Sequence, residues 1–115
     1  AEVKWDRDTC ARCSMALSDR RFAAQVRGGP RQRVFKFDDF GCAVFWLKDQ
    51  PWASDAGTEI WVRDLRSEMW LEARSAYYVA NKSSPMGYGY GAVVTQEAGA
   101  VNFEEARKRI LAQGK

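Results

Sequence analysis

Three sulfur side chains fall within six residues in Cys10-Ala11-Arg12-Cys13-Ser14-Met15, half of the three Cys and three Met in the 115-residue chain. Two thiolates and a thioether make a soft donor set, which favours Cu(I) over hard cations such as Mg²⁺ or Ca²⁺. Zinc uses thiolates, but Met is not among its usual ligands. A Cys-x-x-Cys is also compatible with half of a zinc site, a redox dithiol or a disulfide. Structural zinc wants a second pair, and only Cys42 remains. A redox dithiol usually opens a helix that lowers its thiol pKa, yet no helical stripe follows Met15 before Phe22. Metal binding is the favoured expectation, with a disulfide left open as the plain alternative.

Met15 follows Cys13 by two residues, and an extended spacer would turn both sulfurs to one side. Met86 sits between Pro85 and Gly87 in a glycine-flanked loop, a poor place for core packing. A flexible thioether there can close over a soft ion and open again. Met69 alternates with Leu71 and is expected in the core. Cys42, amid Phe40, Phe45 and Trp46, reads as a buried small hydrophobe. The sulfurs of Cys10, Cys13, Met15 and Met86 are therefore the donors these residues offer.

Composition narrows the chemistry. There is no histidine, which removes the commonest metal ligand and the usual general base and excludes most hydrolase mechanisms. Three cysteines cannot all pair within the chain, so it is not a disulfide scaffold. The formal charge of +3 implies no particular partner. Arg20, Arg21, Arg27, Arg31 and Arg33 make the first hairpin basic, but the total falls short of a nucleic-acid footprint. A solvated face or a docking surface for an acidic partner is expected instead. The loop Met86 to Gly91 lacks the Lys-Ser/Thr of a phosphate cradle. No apolar run approaches the roughly 20 residues of a spanning helix, so a soluble form is expected. The sequence begins at Ala1 with no apolar leader, as a processed chain would.

The elements that must position these residues follow from pattern. Phe22, Ala24 and Val26 alternate with Ala23 and Gln25 as in a strand. Gly28-Gly29-Pro30 turns the chain, and Val34 to Phe37 returns it as a hairpin. Asp38 or Asp39 can cap a helix running to about Asp49, with Pro51 beyond its end. That helix is apolar on two sides and expected to be largely buried. Glu59 to Arg63 reads as a strand, Glu68 to Ala80 as one or two more, and Ala92 to Thr95 as another. Asn102-Phe103-Glu104-Glu105 resembles a capping box opening a second helix. Phe37-Asp38-Asp39-Phe40 and Val101-Asn102-Phe103 open the two helices alike. A single α+β domain over residues 1–115, built from two related halves without a linker, is the expectation. The last strand of the second half would be missing.

Cys10-Ala11-Arg12-Cys13-Ser14-Met15, with Arg21-Phe22-Ala23-Ala24-Gln25, Phe37-Asp38-Asp39-Phe40-Gly41-Cys42 and Met86-Gly87, resembles the NosL family over nearly the whole chain. These are copper-binding accessory proteins linked to the assembly of nitrous-oxide reductase. The resemblance implies two ββαβ-type halves similar to the small domain of organomercurial lyase. It also implies Cu(I) held by Cys13, Met15, Met86 and Cys10. The implied role is periplasmic or exported, with membrane anchoring belonging to a full-length form: a metallochaperone, not an enzyme, delivering copper to a copper enzyme or its assembly machinery. A monomer or weak dimer is expected, without nucleic acid, and with a membrane contacted only through a lipid anchor that this chain lacks. Ser14 stands where the family pattern would place Gly. The alternative function is a thiol-based redox or organomercurial-lyase-like enzyme.

Overall fold

The structure is a computed structural model that describes residues 2–114. Strand β1 (Ala24–Gly28) turns into β2 (Arg33–Phe37), helix α1 (Phe40–Lys48) follows, and β3 (Glu59–Arg63) and β4 (Trp70–Glu72) come next. A 3-10 turn over Ala73–Ser75 leads to β5 (Tyr77–Val79), β6 (Gly91–Val93), the short β7 (Val101–Asn102) and helix α2 (Phe103–Ala112). Two antiparallel sheets result, ordered β2-β1-β3-β4 and β6-β5-β7. Leu65 N–H donates to the Ala92 carbonyl at 2.7 Å, tying the segment just after β3 to β6. The fold is α+β, as expected.

The first half is a ββαβ unit as the pattern implied. β1 lies between β2 and β3 with α1 packed on it, and Ala24, Gln25 and Val26 are all buried despite their alternation. Its outer flank carries a ladder of rings and guanidiniums: Arg63 lies over both Trp5 and Trp70, at 5.1 and 5.0 Å from the ring centroids. On the other flank α1 packs against β1, β2 and α2. Phe40 stacks on Tyr78 at 4.6 Å and meets the Phe103 edge at 6.1 Å, so one aromatic cluster joins the two halves. Among the described residues no strand follows α2.

Two local expectations are corrected. Met69 is 65% exposed, not core. It closes the turn Asp64 to Met69, where Asp64 N–H donates to the Met69 carbonyl at 2.7 Å, so strand alternation begins only at Trp70. The spacer between Cys13 and Met15 is not extended either. Ser14 has φ of 67°, a left-handed conformation that glycine adopts most readily.

Candidate metal centre

The sulfur loop is folded by its own backbone and held from β2. Cys10 N–H donates to the Met15 carbonyl at 2.8 Å, and Ser14 N–H donates to the Cys10 carbonyl at 3.0 Å. Thr9 and Ala16 form an isolated antiparallel bridge, so the loop closes like a small hairpin tip and opens no helix. Lys36 grips it twice. Its carbonyl accepts from Ala11 N–H at 2.8 Å, and its ammonium pairs with Asp8 at 2.7 Å. Such anchoring from a regular strand orders a loop that has little core of its own.

Phe37 ends β2, and the chain then delivers Asp38, Asp39 and α1 to the same place. Asp39 is the helix cap: its carboxylate accepts from Gly41 N–H at 3.0 Å, which satisfies a donor at the open end of the helix. Its second oxygen accepts from Met86 N–H at 3.0 Å. One side chain thus fixes both the start of α1 and the glycine-rich loop. Gly41 makes that approach feasible, because a Cβ there would lie 2.1 Å from Cγ of Tyr88. Tyr88 also hydrogen-bonds Arg12, whose guanidinium lies 4.8 Å over the Phe45 ring.

Four soft and hard donors converge under this arrangement. One ligand atom each from Cys10, Cys13, Cys42 and Asp38 all lie within 4.8 Å of one another. The Cys13 thiol donates to Asp38 Oδ1 at 3.3 Å, and the Cys42 thiol donates to the same oxygen at 3.6 Å. Cys13 N–H points at the Cys10 sulfur at 3.5 Å. Cys10 and Cys42 are buried, at 2% and 0% exposure, whereas Cys13 is half-buried and opens to the surface. All three are free thiols.

These contacts divide the protons unequally. The Cys10 thiol is pulled far below its ordinary range by its contact with the Cys42 side chain and by backbone N–H groups, against the opposing effect of burial. Cys42 is pushed up by that same contact and by burial. Burial pushes Cys13 up to about 12. Burial likewise raises the Asp38 and Asp39 carboxyls above their usual range. A soft cation that enters this group displaces thiol protons, so its uptake is coupled to pH.

Of the expected donors, Cys10 and Cys13 are brought together. Met15 has a 54% exposed side chain, although its backbone N–H faces the Cys13 sulfur. Met86 is half-buried against the core, with its backbone pinned beside Asp38 through Asp39. The structure adds Cys42 and Asp38 to this cluster, which sequence reasoning had not placed there. Cys42 is buried as expected, but among sulfur and carboxyl as well as rings. Its signal lay in the spacing to the cap: three residues after Asp39, it occupies the first turn of α1. The second pair of ligands that a zinc site would need is also present, as Cys42 and Asp38.

A cluster of three thiols and a carboxyl in a two-sheet α+β domain is a donor set able to hold a soft metal ion. Residues 4–109 match the NosL family, and the chain belongs to it. No curated protein shows significant similarity to the chain. Among solved structures, the copper chaperone NosL from Shewanella denitrificans superposes with a TM-score of 0.68 at 18% identity. The match covers 97% of this chain and 86% of that one, and at this identity it shows a shared fold.

Proposed function

We propose that this protein is a Cu(I) metallochaperone that carries the ion on its sulfur loop and passes it to a copper enzyme or to the machinery that assembles one. The observation that supports this most is the convergence of the Cys10 and Cys13 sulfurs, in a NosL-family domain, into a group with one exposed edge. Its role is that of a carrier and not an enzyme, in keeping with the family. The site fits a soft ion. With metal–sulfur bonds of about 2.3 Å, two sulfurs across one ion lie at most about 4.6 Å apart, and the donors here are within 4.8 Å before any ion draws them in.

Half-buried Cys13 is the exit. During handover, thioethers from exposed Met15 and from Met86 would serve there as transient weak donors, giving way first to the soft ligands of a partner before Cys13 yields the ion. Polarizable, flexible thioethers suit such stepwise exchange. Location in the periplasm or another exported space belongs to this proposal, as does a protein partner that accepts the copper.

Anaerobic competition of the fully reduced protein against a calibrated Cu(I) chelator, with Zn(II) run in parallel, tests the reading. Tight binding of one Cu(I) per chain and weak Zn(II) binding are expected. A preference for Zn(II), or no uptake of either ion, overturns it.

A further inference from the structure

We infer that Cys42 is the third thiolate of the resting copper site, so that the ion is held by Cys10, Cys13 and Cys42, with Met15 and Met86 outside this shell. The inference rests on the Cu(I) reading above and assigns the ligands within it.

Three observations carry it. First, Cys42 lies in the same cluster as Cys10 and Cys13, and one carboxylate oxygen of Asp38 accepts from both the Cys13 and Cys42 thiols. Those two thiols are therefore oriented by a common neighbour before any metal arrives. Second, Cys42 is carried on α1, the most deeply buried helix, with Phe40 to Phe45 all buried. A sulfur on a rigid element holds its geometry better than one on a loop. Met15 is the reverse, exposed and next to the left-handed Ser14. Third, the charge has a counterpart. One Cu(I) and three thiolates carry a net charge of −2, and the cation of Arg12, between Cys10 and Cys13 in the chain, lies over the Phe45 ring of α1.

The loading step balances simply. Three copper–sulfur bonds form, the protons held on the thiols pass to solvent, and copper remains Cu(I) with no electron transferred. Asp38 then loses the two thiol hydrogen bonds it accepts. It is a positioning residue that aligns the empty site, not a ligand that the trigonal sulfur set requires.

The test uses monomeric, fully reduced protein loaded with one Cu(I) per chain. In Cys42→Ser, Cu(I) affinity should fall at least about 100-fold, since even outer-shell partners of a metal contribute roughly 10–100-fold. Met69→Ala, at an exposed thioether remote from the cluster, should leave it unchanged. A Cys42 variant could fail to fold, so a second protein carries Met15→Ala, Met69→Ala and Met86→Ala together, leaving the three cysteines as its sulfur atoms. X-ray absorption at the copper edge should count three sulfurs at about 2.3 Å in that protein. Two sulfurs there, or unchanged affinity in folded Cys42→Ser, would overturn the assignment while leaving the Cu(I) reading intact. Failure of the unmodified protein to bind Cu(I) at all would overturn both.

Discussion

The two helices begin in the same way and serve different ends. Asp39 caps α1 and Asn102 caps α2, each with a phenylalanine in the next position. Aligned on these caps, Asp38 corresponds to Val101, Gly41 to Glu104 and Cys42 to Glu105. In the second half those positions are plain structure: Val101 pairs with Tyr78 in β5–β7, Glu104 is exposed, and Glu105 pairs with Arg109 at 2.8 Å. In the first half the same positions supply a carboxyl, a gap for Tyr88 and a thiol. Helix α2 buries only one stripe, Phe103, Ala106 and Ile110, and its other faces meet water. Helix α1 is buried on both sides, so a polar residue at its start has only other site residues for company. The comparison shows how one supersecondary frame gains a candidate metal site: its helix start is buried, and the residues flanking the cap are exchanged.

Substitutions at matched positions can break that comparison, beginning with the largest expected effect. Gly41→Ala should destabilise the protein by about 2 kcal/mol. Overpacking against Tyr88 costs roughly 1–3 kcal/mol and outweighs the gain of up to about 1 kcal/mol from alanine in a helix. Glu104→Ala, its counterpart, should stay within about 0.5 kcal/mol, as exposed substitutions do. Thermal melts of both variants would decide it, and equal melting temperatures would show that the Tyr88 contact is not tight.

Next come the caps. Asp39→Ala removes acceptors from two N–H groups, Gly41 and Met86, and should cost about 2–3 kcal/mol. Asn102→Ala removes one, the bond from Glu105 N–H at 2.9 Å, and should cost about 1 kcal/mol. Denaturant midpoints at constant slope give both numbers. The Asp39 variant alone should also increase hydrogen exchange at Met86.

The smallest effect concerns the grip of β2 on the sulfur loop. The hydrogen bond from Lys36 holds the Asp8 carboxyl below its ordinary value of 3.8. The folded protein therefore binds that proton less readily than the unfolded chain. The pair's contribution is full above about pH 4 and is lost as the pH falls through the lowered value. Asp8→Asn should flatten this acid limb of the stability curve and change stability at neutral pH by less than about 1 kcal/mol, because the pair is partly exposed. An unchanged acid limb would mean that Asp8 does not help to hold the loop.

Much of the fold was legible in the sequence because it is encoded locally. The hairpin around Gly28-Gly29-Pro30, the cap at Asp39, the strand Glu59–Arg63 and the cap at Asn102 each depend on residues only a few positions apart. Where local reasoning failed, a neighbour in space or a backbone angle intervened. Met69 sat in apparent alternation but belongs to a turn closed from Asp64. Ser14 was treated as an extended spacer, whereas its left-handed conformation redirects Met15. The capping box at α2 is only half formed in the expected sense: Asn102 accepts from Glu105 N–H, and the Glu105 carboxylate reaches Arg109.

By itself the sequence determined the class of chemistry. Without histidine, and with sulfur concentrated in one loop, a soft-ion site was the natural expectation, since donor type depends on composition alone. It also determined where each helix starts, because capping is satisfied within a single turn. Which sulfurs meet was decided by the tertiary structure. Cys42 lies 29 positions beyond Cys13 by number, and its apolar neighbours along the chain mark it as core. Only the packing of α1 against the sheet, with Asp38 at the end of β2, brings its thiol to the sulfur loop. Side-chain convergence depends on contacts made through space, and no local periodicity reports them.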